Sequence, residues 1–171
     1  AEANENAMRV ARLATGKKTI VATEGSFHGR TAGALSATGI AKYRKGIDGL
    51  GTDVAFVPFG DLAAARAALS KGAAGFLLEP IQSMSGALCP PEGYLQGLAA
   101  ACAELGAILI FDEVQTGLGR VGAPSAAQAF GVRPGLQGQG RAERRARTHD
   151  EDPQAGASGV PDRGHVSSHS G

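Results

Sequence analysis

The stretch Ala107-Ile108-Leu109-Ile110-Phe111-Asp112-Glu113-Val114-Gln115-Thr116-Gly117 decides how this chain is read. An apolar run of strand length stops abruptly at two acids, with an amide and a glycine close behind. A strand buried on both faces of a parallel sheet reads as a continuous hydrophobic run, and ligands of open α/β sheets gather at the carboxyl ends of the strands. Asp112 is therefore a carboxylate delivered by a rigid element to the ligand edge, placed to hold a cationic or protonated group.

Outward from this strand, helix and strand patterns alternate. A helix is expected over 94–105, ending at Gly106, and a strand over Gly75-Phe76-Leu77-Leu78-Glu79-Pro80, with Pro80 barring its continuation. Asp61 is placed to cap a helix running through Ser70 and closed by Gly72. Val54-Ala55-Phe56-Val57-Pro58 and Thr19-Ile20-Val21-Ala22-Thr23 read as two further strands, and residues 30–38 as helical or turn-like. Residues 3–14 set Ala3, Ala7, Val10, Ala11 and Ala14 at helical spacing before Gly16. The alternation predicts an α/β fold, a mostly parallel sheet with crossover helices. It stops near Pro134. Residues 135–171 hold almost no large apolar side chain beyond Leu136, Val160 and Val166, so this tail is expected to be disordered.

Composition narrows the function classes. The chain has 171 residues, 43% of them hydrophobic, and a net charge of +1, which argues for neither a nucleic-acid nor an anionic-membrane partner. No apolar stretch nears the roughly 20 residues that span a bilayer. The opening Ala1-Glu2-Ala3-Asn4-Glu5 is unlike a signal peptide and lacks an initiator Met, so the sequence is read as processed or incomplete. Cys89 and Cys102 form neither a disulfide framework nor a metal knuckle, and both are expected as small apolar packers in a reducing cytoplasm. The basic run Glu143-Arg144-Arg145-Ala146-Arg147 is cancelled by Asp150, Glu151 and Asp152. His149, His165 and His169 lack partners at metal-ligand spacing.

A strand ending in Asp-Glu also occurs in P-loop nucleotide hydrolases, but that reading needs a phosphate cradle upstream. The nearest candidate, Gly16-Lys17-Lys18, has Ala11 where the first glycine belongs and Lys18 where Ser or Thr belongs. Two other constellations follow strands directly. In Gly25-Ser26-Phe27-His28-Gly29-Arg30-Thr31 an aromatic, an imidazole and a guanidinium suit a planar anionic ligand, although a tight turn with a surface Arg has the same pattern. In Leu78-Glu79-Pro80-Ile81-Gln82 a carboxylate and an amide stand at a strand end, where Glu79 could equally pair with a neighbouring base.

Together these segments, with Leu35-Ser36-Ala37-Thr38-Gly39 and Phe56-Val57-Pro58-Phe59, resemble in order the class III pyridoxal-phosphate aminotransferases of the acetylornithine/ornithine type. The resemblance covers residues 1 to about 134. It implies an incomplete large-domain core of the fold-type I architecture. The implied activity moves an amino group from an amino acid or amine to a 2-oxo acid through pyridoxal 5'-phosphate, in a cytoplasmic homodimer. It implies Asp112 at the cofactor's pyridine nitrogen, Gln115 at its phenolic oxygen, Val114 on one ring face and Phe27 on the other, with His28 beside it. Ala1 would fall at the phosphate-binding turn, Arg30 would take the substrate carboxylate, and Glu79 would orient its neighbours.

The chain departs from that pattern in three places. It begins inside the phosphate-binding turn. Ser83-Met84 stands where the family carries Gly-Glu, and Met84 cannot pair with an Arg, so acetylornithine specificity does not follow from the resemblance. The family's cofactor-bonding lysine lies beyond the Asp-Glu strand, whereas the lysines here are Lys17, Lys18, Lys42, Lys45 and Lys71. No catalytic residue is therefore assigned, and an inactive or merely cofactor-binding remnant is the alternative. Residues 135–147 can be encoded by nucleotides that, shifted one base, read a lysine-bearing segment like the family's, which makes an out-of-frame tail a second expectation.

Overall fold

The computed structural model describes residues 1–46 and 53–138. Five strands form one parallel sheet: β1 (Ile20–Thr23), β2 (Val54–Val57), β3 (Gly75–Leu78), β4 (Ile108–Asp112) and β5 (Leu136–Gly138), in the order β2-β1-β3-β4-β5. Register is set by pairs such as Val21 with Phe76, Leu77 with Ile110, and Phe111 with Gln137. The helices are α1 (Glu2–Thr15), α2 (Ala32–Ser36), α3 (Leu62–Leu69), α4 (Tyr94–Glu104) and α5 (Ala126–Ala129), with a single 3-10 turn at Ala41–Tyr43.

Strand side chains alternate between faces, so the apolar runs divide into two cores. Val21, Phe76, Leu78, Leu109 and Phe111 pack with Ala65 and Leu69 of α3 and with Leu95, Leu98 and Cys102 of α4. Ile20, Ala22, Leu77 and Ile110 pack against Met8 and Ala11 of α1. Both faces are thus covered by crossover helices, which explains why the strands read as unbroken hydrophobic runs. Phe76 and Phe111 are fully buried; each contributes about 1.5–3 kcal/mol of hydrophobic stabilisation. Asp61 caps α3 as expected, accepting from the Ala64 N–H at 2.8 Å.

Three expectations need correcting. The buried stripe of α1 is Asn4, Met8 and Ala11, at i, i+4 and i+7, while Val10 is 46% exposed and Ala3 and Ala14 also face out. Ala7 and Ala11 do face the core, but alanine is too small to announce a face, and the other three residues of the expected set turn outward. Cys102 packs in the core, but Cys89 is exposed. The sheet continues past the boundary drawn at residue 134: Leu136–Gly138 pairs with β4, its backbone hydrogen bonds standing in for a large apolar side chain. The short helix α5 carried no sequence signal that was read. The rest of the tail, with its three histidines, its basic run and most of the out-of-frame segment, lies outside the described residues. Among the described residues no helix is long and apolar enough to cross a membrane.

Candidate active site

The alternation that turns Ile110 toward α1 turns Asp112 there too. Asp112 is buried at the end of β4. Its Oδ2 accepts from Asn4 Nδ2 at 2.7 Å and lies 2.9 Å from His28 Nδ1. Its Oδ1 accepts only the Val114 N–H, at 3.2 Å. Burial pushes this carboxyl up, but the hydrogen bond and charge of His28, the Asn4 amide and the Val114 N–H outweigh it and leave it below the ordinary value. A buried carboxylate is thereby held ionised at the ligand edge of the sheet.

The loop after β1 brings the aromatic residue to the same place. Ser26 Oγ donates to the Thr23 carbonyl at 2.7 Å, and the His28 N–H donates to Thr38 Oγ1 at 3.0 Å. Gly39 N–H closes the loop on the Ser26 carbonyl at 2.8 Å. A Cβ at residue 39 would lie 2.1 Å from the Thr23 carbonyl oxygen, so only glycine permits that approach. Gln82 Nε2 fastens the loop from the β3 side, donating to Thr23 Oγ1 at 2.9 Å and the Glu24 carbonyl at 2.8 Å. Glu79 accepts the Phe27 N–H at 2.9 Å through Oε2 and the Ser83 hydroxyl at 3.1 Å through Oε1. Its carboxyl is raised: burial pushes it up, the Phe27 N–H and His28 pull it down, and the charge of Asp112 pushes it up again.

A cavity of about 420 Å³ opens between these elements, and Ala1, Phe27, His28, Glu79, Asp112, Val114 and Gln115 all line it. Seven of the eight residues singled out in the sequence therefore meet at one site. Arg30 is the exception. It is exposed and absent from the lining, with its guanidinium carbon 5.0 Å from the Tyr43 ring centroid and 5.9 Å from that of Phe27. Tyr43 meets Phe27 edge-on at 5.8 Å. No lysine lines the cavity; Lys17 instead donates to the Leu105 and Gly106 carbonyls at 2.9 and 2.8 Å.

Two further residues that brace the site are not singled out by the sequence. Asn4 is one: it is the polar member of the buried stripe Asn4-Met8-Ala11, a face the alanine-rich sequence does not announce. Glu113 is the other. Strand alternation sends it to the face opposite Asp112, where it accepts from the Ala126 N–H at 2.6 Å, the Ala127 N–H and Thr116 Oγ1 at 2.9 Å each, and Gln137 Nε2. It thus ties the Val114-Gln115 loop and β5 to the sheet end.

The site thus combines a parallel α/β sheet, a buried carboxylate at one strand end, and a cavity whose lining includes an aromatic and an aliphatic side chain. The profile of the family "Aminotransferase class-III" matches residues 1–142, and the chain belongs to that family. It is 47% identical over 143 residues to the acetylornithine aminotransferase of Methanosarcina acetivorans, covering 83% of this chain and 36% of the relative. The acetylornithine aminotransferase of Streptomyces clavuligerus is 48% identical over 132 residues, covering 77% and 33%. Among solved structures, the ornithine aminotransferase of Toxoplasma gondii superposes with a TM-score of 0.72 at 30% identity, over 78% of this chain and 34% of that one. An (S)-enantioselective omega-transaminase from Thermomicrobium roseum gives 0.71 at 30%, over 78% and 36%. The chain spans about a third of the length of these relatives.

Proposed function

We propose that this chain supplies the cofactor cradle of a pyridoxal-phosphate aminotransferase that moves an amino group from an amino acid or amine to a 2-oxo acid. The observation that carries it is Asp112: a buried carboxylate kept ionised, with one weakly bonded oxygen, on the wall of a cavity flanked by Phe27 and Val114. The fit to a flat pyridinium ring is chemical as well as geometric, because such a ring offers two apolar faces and one N–H donor. When bound, pyridoxal phosphate supplies an electron sink for charge developing at the substrate's α-carbon. The chain's own residues would hold and orient that group. Asp112 keeps a proton on the ring nitrogen, Phe27 and Val114 take the two faces, and Gln115 donates toward the phenolic oxygen. His28 braces Asp112, Ala1 lies toward the phosphate end, and Glu79 fixes the Phe27 backbone against Ser83.

Arg30 remains our candidate for the substrate carboxylate, from its place at the Tyr43–Phe27 pair beside the cavity. A second copy of the chain would cover the exposed apolar side chains Met84 and Val114 on the cavity wall, as a cytoplasmic homodimer would require. The solved Toxoplasma gondii ornithine aminotransferase with partial PLP occupancy supports the choice of cofactor.

A second reading rests on the lysines, none of which lies beyond Asp112 or on the cavity wall: the chain holds the cofactor reversibly and turns over nothing. We assign residues 1–138 to the large domain. Titrating the full chain with pyridoxal phosphate tests the cradle: saturable binding that Asp112→Asn weakens is expected, and equal binding by both would reject it. Borohydride treatment followed by peptide mapping separates the two readings, since a labelled lysine supports the enzyme and none supports the reversible cradle.

A further inference from the structure

Asn4 spends one nitrogen on two distant elements. Its Nδ2 donates to the His28 carbonyl at 2.9 Å and to Asp112 Oδ2 at 2.7 Å. Both partners are acceptors, so only the NH2 end of the amide fits there, and each of its two hydrogens is used. His28 Nδ1 sits on the same carboxylate oxygen at 2.9 Å. The two oxygens of Asp112 are consequently unequal: Oδ2 has two side-chain neighbours, while Oδ1 has one backbone N–H at 3.2 Å. Asn4 is itself buried and lines the cavity.

We infer that Asn4 is a positioning residue that selects which oxygen of Asp112 meets the ligand: by occupying Oδ2 together with His28, it leaves Oδ1 to accept the ring N–H. The inference rests on the pyridoxal-phosphate reading above. The same amide fixes the height of the Phe27-His28 loop over the carboxylate, because it holds the His28 carbonyl and the Asp112 oxygen simultaneously. A carboxylate at residue 4 would set two anions at hydrogen-bond distance, so Asn4→Asp reverses the effect rather than merely removing it.

Two measurements on the full chain test this. The first needs no cofactor: the Asp112 carboxyl carbon is titrated by NMR. Its midpoint should rise in Asn4→Ala and further in Asn4→Asp, and an unchanged midpoint in both overturns the inference. Should the variants not fold, the native chain still decides. The Asn4 side-chain amide protons should exchange slowly and shift as Asp112 titrates, and rapid exchange with no shift overturns it. The second compares pyridoxal phosphate with an analogue bearing CH in place of the ring nitrogen. The native chain should prefer the pyridine by about tenfold or more, the scale of a hydrogen bond to a charged group. Asn4→Ala should lose most of that preference. A preference retained in Asn4→Ala rejects the role of Asn4 and leaves the cofactor reading intact. No preference in the native chain rejects that reading and the inference with it.

Discussion

Replacing Glu113 tests whether the second acid of the Asp-Glu pair is a structural anchor. In Glu113→Ala the buried Ala126 and Ala127 N–H groups lose their acceptor, as do Thr116 Oγ1 and Gln137 Nε2. Each buried donor left without a partner costs about 1–3 kcal/mol. Counting the two backbone donors in full and letting the side chains turn elsewhere gives a loss of about 2–6 kcal/mol. Against a typical total of about 5–15 kcal/mol, that is severe. Glu113→Gln should cost less, because its one oxygen can serve either the Ala127–Gln137 side or the Ala126–Thr116 side, and the Thr116 hydroxyl can turn to accept from the new NH2. Urea denaturation of the full chain reads both variants. With a slope of about 1–3 kcal/mol per molar, a 3 kcal/mol loss moves the midpoint by about 1–3 M. A shift in Glu113→Ala corresponding to under about 1 kcal/mol, or a larger shift in Glu113→Gln, would refute this account.

Gly39→Ala should push the loop off β1, because the new Cβ meets backbone rather than a flexible side chain. Pyridoxal-phosphate binding should weaken at least tenfold while the circular dichroism of the sheet is kept; unchanged affinity would show that the approach is not needed. Asp112 sits below the ordinary carboxylate value in the folded chain, so its contribution to stability is complete above that ordinary value and is lost as pH falls through the folded one. Glu79, raised by burial, acts in the opposite sense: its contribution is present at low pH and lost as pH rises through its raised value. Urea midpoints followed from neutral pH downward should therefore fall less steeply in Asp112→Asn than in the native chain. Among the thiols, Cys89 is exposed while burial pushes Cys102 up to about 12. A thiol reagent should label Cys89 alone in the native chain and both cysteines in denaturant, and rapid native labelling of Cys102 would contradict the core packing.

Most of the sheet was legible because its central strands are buried on both faces and glycines follow the ends of α1, α3 and α4. The runs at Ile20–Thr23, Val54–Val57, Gly75–Leu78 and Ile108–Asp112 announced themselves by continuous hydrophobicity. β5 did not, since Leu136 is its sole large apolar residue and its pairing depends on backbone groups supplied by β4. Strand order was also unreadable: β1 lies between β2 and β3 through long-range packing that no local pattern encodes. At the candidate site, Asp112 ends β4 and Glu79 directly follows β3, so hydrophobic runs in the sequence point to both. Arg30 was located by motif alone, and a motif does not say which way a long flexible side chain turns. Asn4 was hidden by an alanine-rich helix whose buried face only the folded chain reveals.

The hydrogen bond between Asn4 and Asp112 joins residues 108 positions apart in the chain. Closure of so long a loop lags behind local helix formation and is a source of slow folding. On a ribosome adding roughly 5–20 residues per second, Asn4 is made some 5–20 s before the carboxylate it must find. During that interval α1 has no strand β4 to cover its buried stripe, so the cavity is among the last features of the nascent chain to take shape.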